Sequence, residues 1–312
     1  PVLYSDELPV GGVIALDYFE QQMVAWRDDR GAAHVFDAAC PHYGAHLGYG
    51  GRVEDDCLRC PFHGIRYDAD GRRIIASGQD ATSRGEATVL PTIERNEQVH
   101  VWYHPAAIPP TFDVPEIPEL LSGDFTGLEY RHDFPGVNTA WHMIAEQVVD
   151  FSHFVPLHNI DLVGSDLIED RGNEFYVRVV DRPELTLDSW YFGPGVAFVK
   201  YAGAVDAVMC ATTLPTSPTD LTFRVALAVR RQESQDDTDF LAGVVFDGFL
   251  TALHQDMQIM EHQTWLEKPA LVPTDGDFVR FRRWAARFHD FSVDSLTSGN
   301  TERLGLQTAR NG

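Results

Sequence analysis

Cys40-Pro41-His42 and Cys60-Pro61-Phe62-His63 stand 17 residues apart, counted between His42 and Cys60, in the pattern C-x-H, x17, C-x-x-H. Each pair sits on a turn. Pro41 and Pro61 stiffen the two loops, and Gly44, Gly48, Gly50, Gly51 and Gly64 crowd them. Tight loops of this kind aim backbone amides inward, where they can donate to sulfur. Two Cys and two His suit either of two groups. Zinc takes such a set as a tetrahedron, usually from a Cys-Cys and a His-His pair. A [2Fe–2S] cluster can take two Cys on one iron and two His on the other. Each Cys here is paired with a His, so each loop can give one ligand to each iron, and the spacing favours the cluster. The zinc alternative draws on Cys57-Leu58-Arg59-Cys60, itself a C-x-x-C, but lacks a second zinc-type pair at ordinary spacing. Cys57 reads as a strand residue. Cys210, in an apolar run, reads as a small buried hydrophobe.

Outward from these loops the first hundred residues read as β. Gln22–Arg27 and Ala33–Phe36 flank the turn Asp28–Gly31. Gly64–Tyr67 and Arg72–Ile75 flank an Asp-Gly turn, and Val99–Tyr103 closes the region as a strand. Pro105, Pro109, Pro110, Pro115 and Pro118 then exclude helix and central strand, which predicts a domain boundary near residue 110 and domains 1–110 and 111–312. Beyond it, residues 138–155 have helical character. Glu174–Val180, Val196–Tyr201, Ala207–Leu214 and Leu221–Val229 read as strands of one antiparallel sheet, and Gly243–Leu266 reads as a long helix. The tail from Ser292 is polar and reads as a fraying end.

The second constellation is Asp150-Phe151-Ser152-His153-Phe154-Val155-Pro156-Leu157-His158, or D-x-x-H-x-x-x-x-H. Asp150 and His153 are i, i+3 and share a helix face. His153 and His158 lie about 140° apart on a regular helix, so they cannot both face one metal from it. Pro156 is expected to break the helix between them. Phe151, Phe154, Val155 and Leu157 make the setting dry. Two His and one carboxylate form the facial triad of non-haem Fe(II) oxygenases, with positions left open for O2 and substrate. Read alone, these residues also fit ordinary histidines at a helix end.

The first segment, Cys40 to His63, resembles the Rieske domain of the Rieske non-haem iron oxygenases. The respiratory-complex Rieske proteins carry an extra Cys in each loop and a disulfide between them. Here the loops hold only Cys40 and Cys60, so the resemblance is to the oxygenase branch or to a Rieske ferredoxin. Residues 146–158 resemble that family's E-N-x-x-D-x-x-H-x-x-x-x-H motif: Glu146, Asp150, His153 and His158 match, and Gln147 stands where Asn is common. The likeness runs from about Val13 to Trp265 and is nearest to the 3-ketosteroid 9α-hydroxylase type of oxygenase (alpha) component.

The resemblance implies an α+β chain with an N-terminal all-β Rieske [2Fe–2S] domain and a helix-grip (START-like) antiparallel-sheet catalytic domain. It implies cluster ligands Cys40, His42, Cys60 and His63, and a mononuclear Fe(II) on His153 and His158. The third ligand falls to the long helix. Asp256 lies inside the apolar stripe Phe246, Phe249, Leu250, Leu253, Met257 and Met260, where a buried carboxylate needs a cation, while Asp247 and Glu261 have polar neighbours. The family's C-terminal helix pattern points to Asp256 as well. Asp150 is implied as the catalytic electron-transfer bridge between His153 and His63 of the partner subunit, in a head-to-tail homotrimer. An NAD(P)H-dependent flavin and iron–sulfur reductase, directly or through a ferredoxin, would supply electrons. O2 would be the oxidant, and hydroxylation of an apolar, polycyclic or steroid-like small molecule the reaction. Dealkylation, desaturation and ring dioxygenation by the same centres are the alternatives.

Composition agrees with an enzyme and excludes other classes. The chain has 312 residues, 44% hydrophobic, with 47 acidic against 24 basic side chains and a formal net charge of −23. Such a chain repels phosphate backbones, so nucleic acid is not an expected partner. No apolar stretch is long enough to span a membrane. Four cysteines are too few for a disulfide scaffold, and no charged-then-apolar leader opens the sequence, so the cytoplasm is the expected compartment. Pro1 in place of Met is read as missing or processed N-terminal residues. Residues 42–73 hold five Arg and five acids, a locally neutral segment expected to be a docking face or an ordinary mixed surface. Trp141, Phe134, Phe154, Trp190, Tyr191, Phe192 and Phe249 are candidates for a substrate pocket or for core. His34, His46, His100, His254 and His262 read as structural or solvated. Two other classes remain to compare: an electron carrier fused to a hydrophobic-ligand-binding domain, which would not need the set Asp150, His153, His158 and Asp256, and a zinc-stabilised binding protein.

Overall fold

In the computed structural model, which describes residues 1–74, 85–161, 165–181, 185–272 and 275–288, the chain folds as two units, Pro1–Glu116 and Ile117–Gly312. The expected end of the second hairpin at Ile75 and the polar tail from Ser292 lie outside the described residues.

The first unit is built from short strands: β1 (Leu3–Tyr4), β2 (Val13–Tyr18), β3 (Gln21–Arg27), β4 (Ala33–Asp37), β5 (Arg52–Glu54), β6 (Cys57–Arg59), β7 (Arg66–Tyr67), β8 (Arg73–Ile74), β9 (Val89–Leu90), β10 (Thr92–Arg95) and β11 (Gln98–Val101). They form three antiparallel sheets, ordered β1-β11-β10, β2-β3-β4-β9 and β5-β6-β7-β8. Both expected hairpins are present. Asp28 Oδ1 accepts from the Arg30 and Ala32 amides in the first turn, and Asp68 Oδ1 from Asp70 and Arg72 in the second. Val24, Trp26, Phe36, Leu47, Leu58 and Tyr67 form the core, and Cys40 and Cys60 belong to it. Cys57 opens β6 and is buried, as a strand residue. The strand expected at Val99–Tyr103 is Gln98–Val101.

The second unit contains α1 (Pro118–Leu121), β12 (Tyr130–Val137), α2 (Trp141–Ala145), β13 (Leu167–Asp170), β14 (Glu174–Asp181), β15 (Leu185–Phe192), β16 (Ala197–Gly203), β17 (Ala207–Pro215), β18 (Leu221–Val229), α3 (Gln235–Met260) and α4 (Phe278–Ala286). The strands make one seven-stranded sheet in the order β12-β18-β17-β16-β15-β14-β13, and every pairing is antiparallel. Three of these strands, β12, β13 and β15, were not expected. β12 contains Pro135-Gly136, and its register shifts between Phe134 and Val137, the bulge that such a pair needs inside a strand. β13 is a short edge strand, and β15 carries Asp188 in its middle, where it is buried and bonded to Arg178.

The long helix differs from expectation at both ends. It starts at Gln235, not Gly243. The Ser234 side chain caps it by accepting from the Asp237 amide, and Asp236 and Asp237 meet the positive end of the dipole. It ends at Met260, where the chain turns through Glu261 and His262. α3 packs on β12 and β18. Its Met257 and Met260 join Phe175, Val177, Phe223 and Val225 of the sheet and Phe281 and Trp284 of α4 in one core. Among the described residues no helix is long and apolar enough to cross a membrane.

Candidate functional site

The two Cys-His loops are built alike. In the first, the Cys40 amide donates to Ala45 O at 2.8 Å and the Gly44 amide returns to Cys40 O at 2.8 Å. In the second, the Cys60 amide donates to Ile65 O at 2.8 Å and the Gly64 amide to Cys60 O at 3.1 Å. The residue four after each Cys must take a left-handed conformation to close this turn. It is glycine in both loops, with φ +75° at Gly44 and +69° at Gly64. Both thiols are free and buried, and they lie within hydrogen-bond reach of each other. The Phe62 and His63 amides point at the Cys60 sulfur, and the Tyr67 hydroxyl lies 3.2 Å from Cys40 Sγ. Burial pushes the Cys60 thiol up. At the other end of the set, His42 and His63 are exposed, with ring centroids 4.6 Å apart, edge to face.

The donor set is therefore sulfur inside and nitrogen outside. A single tetrahedral ion, with bonds of roughly 2.0–2.3 Å, needs all its donors within about 4 Å of one another. Among the described residues, only His153, His158 and Asp256 bring three donors within 4.8 Å of one another. The four-residue set spans more than one ion would allow, and it fits a two-iron group.

That converging group is the second centre. Residues 146–149 form a 3-10 turn after α2, and Asp150, with φ −91° and ψ 84°, ends it. Asp150 thus lies outside any helix, and the i, i+3 helical face expected for it with His153 does not exist. Phe154–His158 then make a π-helical turn. Pro156 does not break the chain between the histidines. It lacks the amide that would bond Ser152 O in an α-helix, and the turn widens to the i to i+5 hydrogen-bond spacing of a π-helix. The wider turn brings residues five apart closer to one side than a regular α-helix does, and the His153 and His158 rings lie 5.1 Å apart. Asn159 closes the turn in the left-handed region, at φ 56°.

His158 Nε2 is 3.0 Å and His153 Nε2 3.9 Å from Asp256 Oδ1, the carboxylate coming from α3. His158 Nδ1 donates to Gln255 Oε1 at 2.8 Å, which leaves the lone pair on Nε2. That lone pair and a carboxylate oxygen are both acceptors, so only a proton or a cation between them makes the approach favourable. Burial pushes Asp256 up, against the pull of the two imidazoles. This donor set fits a divalent metal of the facial-triad kind. Asp150 Oδ2 lies 3.4 Å from His153 Nδ1, and Ser152 Oγ donates to Asp150 Oδ1 at 2.9 Å. Despite burial, the neighbouring His153 imidazole and the Ser152 hydroxyl hold Asp150 below the ordinary carboxylate range.

A cavity of about 110 Å3 reaches Asp256. Its floor is one register row of the sheet, Tyr191, Ala197 and Ala211, in which two alanines leave the space open. Trp141, Ile144, Leu253, Met257 and Met260 close it from the helices, and Phe223 from β18. Gln147, Thr213 and Tyr191 add polar groups, and among the described residues the lining holds no Lys or Arg. Of the seven aromatic residues considered from sequence, only Trp141 and Tyr191 line it. Phe134 packs on Phe223, Phe154 on His153, Trp190 on Tyr176, Phe192 on Phe198 and Phe249 on Tyr201. The neutral segment 42–73 pairs largely within itself: Arg52 and Arg59 with Glu54, Arg66 with Asp55, and Arg72 with Asp70.

Residues 1–93 match the Rieske [2Fe–2S] domain, and residues 101–289 match the C-terminal domain of 3-ketosteroid 9α-hydroxylase. The chain belongs to the 3-ketosteroid 9α-hydroxylase family of Rieske oxygenases. The oxygenase is 26% identical to the oxygenase component of 3-ketosteroid-9-alpha-monooxygenase of Mycolicibacterium smegmatis, over 94% of this chain and 82% of that one. It is 25% identical to cholesterol 7-desaturase nvd 1 of Ciona intestinalis, over 94% of this chain and 68% of the relative. Among solved structures it is similar in fold to Pseudomonas putida CBB5 NdmB, with TM-score 0.74, 17% identity and coverage of 99% and 94%. Dicamba monooxygenase bound to dicamba gives 0.65, 16% identity and coverage of 95% and 96%.

Sequence reasoning missed several residues around this oxygenase's second centre. Gln255 has no motif to announce it, although it neighbours Asp256. Arg282 of α4 grips the buried Glu146, with Nη2 2.9 Å from Oε2, and lies 3.9 Å over the Trp265 ring. Gly276 sits against the backbone of Val149, where any Cβ would run into the Val149 carbonyl. The surplus of acids over bases hides Glu146 and Arg282 among many possible pairs, and a glycine required by close approach looks like any loop glycine.

Proposed function

We propose that this oxygenase is the terminal component of a system in which an NAD(P)H-dependent flavin and iron–sulfur reductase, directly or through a ferredoxin, provides electrons and O2 is the oxidant. Its substrate is an apolar, polycyclic, steroid-like molecule, and its reaction is hydroxylation. The observation that carries the reading is the convergence of His153, His158 and Asp256 at the wall of an apolar cavity. When bound, a [2Fe–2S] cluster on Cys40, His42, Cys60 and His63 supplies single electrons, and an Fe(II) on His153, His158 and Asp256 supplies O2 chemistry beside the substrate.

The chain's own residues do the rest. Cys40 and Cys60, sunk in the core, keep the sulfur end dry, while His42 and His63 offer their rings at the surface to a partner. Asp150, held by Ser152 and 3.4 Å from His153, would orient that ring, and in a head-to-tail homotrimer it would meet His63 of the partner subunit. Trp141, Tyr191 and Phe223 exclude water from the reacting face. A substrate carboxylate would find no counter-ion among the described residues of the lining, which supports a neutral substrate. The free thiols suit the reducing cytoplasm.

Desaturation of a sterol-like substrate is the second reading, favoured by the match to cholesterol 7-desaturase along nearly the whole chain. Metal and acid-labile sulfide analysis of anaerobically purified protein should give about three irons and about two sulfides per chain. Turnover with a steroid panel and a reductase then separates the two readings by product mass: a gain of one oxygen for hydroxylation, a loss of two hydrogens for desaturation. Zinc without sulfide would overturn both.

Ala211→Phe fills the floor of the cavity beside Tyr191. The cavity accepts part of the added ring, so the cost in stability stays within about 1–3 kcal/mol. The expected result is at least a tenfold loss of kcat/KM with the iron content unchanged, about 1.4 kcal/mol of transition-state stabilisation. Unaltered kcat/KM would place the substrate elsewhere.

A further inference from the structure

We infer that Gln255 is a positioning residue for the mononuclear centre: it fixes the tautomer and the rotation of His158, so that Nε2 faces the metal position. The inference rests on the reading of His153, His158 and Asp256 as a metal site. Gln255 and Asp256 are consecutive in α3, and they take opposite nitrogens of one imidazole. Gln255 Oε1 accepts from Nδ1 at 2.8 Å, and Asp256 Oδ1 lies 3.0 Å from Nε2. The His158 side chain is 3% exposed. Among the described residues, Gln255 is the side chain at hydrogen-bond distance from His158 Nδ1.

A neutral imidazole carries its one proton on either nitrogen, and a metal can be bound only through the bare one. An acceptor fixed on a helix beside Nδ1 settles that choice before the metal arrives. His153 has a different arrangement. Its Nδ1 faces the Asp150 carboxylate at 3.4 Å, beyond ordinary hydrogen-bond length, and Asp150 is itself engaged by Ser152. The two histidines therefore have outer partners of different kind, a neutral amide for His158 and a carboxylate for His153. The amide anchors His158 without adding charge behind it. The Gln255 bond also ties the π-helical turn to α3.

The test uses full-length protein with its cluster intact and its mononuclear site emptied by a chelator, titrated with Co(II) and Fe(II). Visible circular dichroism of the cluster and thermal denaturation report that each variant is folded. Gln255→Leu, which keeps the volume and removes the acceptor, should weaken Co(II) binding by roughly tenfold to a hundredfold. Gln255→Asn, too short to reach Nδ1, should do the same and serves if the leucine variant does not fold. Gln255→Glu keeps an acceptor at the same reach and should retain binding. It should also shift the Co(II) absorption bands, because a carboxylate makes His158 a stronger donor. Leucine and asparagine variants with the wild-type Kd and the wild-type Co(II) spectrum would overturn the inference. Wild-type protein that takes up no Co(II) would overturn the metal-site reading itself, and the Gln255 role with it.

Discussion

Asp256→Ala should leave the oxygenase folded, coloured and inactive. Asp256 supplies the only carboxylate within reach of both His153 and His158 among the described residues, and its oxygen lies 3.0 Å from one Nε2 and 3.9 Å from the other. Two imidazoles without that anion are a weak site for Fe(II), which is bound by charge and by donor count. The iron content should fall from about three to about two per chain, with sulfide unchanged. Turnover should fall by roughly a thousandfold or more, about 4 kcal/mol. The sign of the stability change separates this outcome from misfolding. Burial holds the Asp256 carboxyl above its ordinary range, so in the metal-free protein the charge is a burden, and its removal should leave the melting temperature unchanged or raised. A variant that keeps three irons, or that turns over at the wild-type rate, would remove Asp256 from the site.

Gly276→Ala should unfold the surroundings of the second centre without touching the Rieske loops. The added methyl would meet the Val149 carbonyl oxygen and carbon, both backbone atoms of a fully buried residue, so no side-chain rotation relieves the clash. The strand of chain before α4 would have to withdraw. That withdrawal loosens the Ser152 Oγ to Asp275 contact at 3.3 Å and the Arg282 grip on Glu146. Glu146 is 6% exposed. Burial pushes its carboxyl up and Arg282 pulls it back, so separation leaves a buried carboxylate without its cation. Breaking such a pair costs about 3–5 kcal/mol. For a unit of this size that corresponds to a drop in Tm of roughly 6–20 °C. Near-ultraviolet circular dichroism of the catalytic unit should show it, while the visible spectrum of the cluster persists to its own transition. Equal melting temperatures for variant and wild type would mean that residues 275–277 do not lie against the turn.

The Rieske half was legible because its chemistry is local. Each loop is a short chelate in which Cys, Pro, His and the closing Gly follow one another, and the turn that joins them needs no distant residue. The apolar runs of β3 and β4 and the Asp28–Gly31 turn between them are local as well. In the catalytic half, the position of the D-x-x-H-x-x-x-x-H segment was legible, but its geometry was not. Regular helix periodicity sets His153 and His158 apart, and a π-helical turn, whose hydrogen-bond period differs from that of an α-helix, brings them together. Asp256 could be picked out because a carboxylate in an apolar stripe violates the pattern around it. Gln255 violates nothing, and its role exists only where α3 meets the turn.

The pocket illustrates the same division. Large aromatic residues attract attention in a sequence, yet five of the seven considered are packed against other rings, and the space is made by Ala197 and Ala211, which carry no signal of their own. Sequence by itself determined the two-part architecture and the cysteine and histidine loops, and it marked the residues proposed for both centres, since these depend largely on neighbours a few bonds away. Tertiary structure alone decided which strands pair, which carboxylate faces which imidazole nitrogen, how Gly276 and Arg282 brace the turn, and where the cavity opens. Those relations join residues far apart in the chain, and close packing, not local preference, sets their distances.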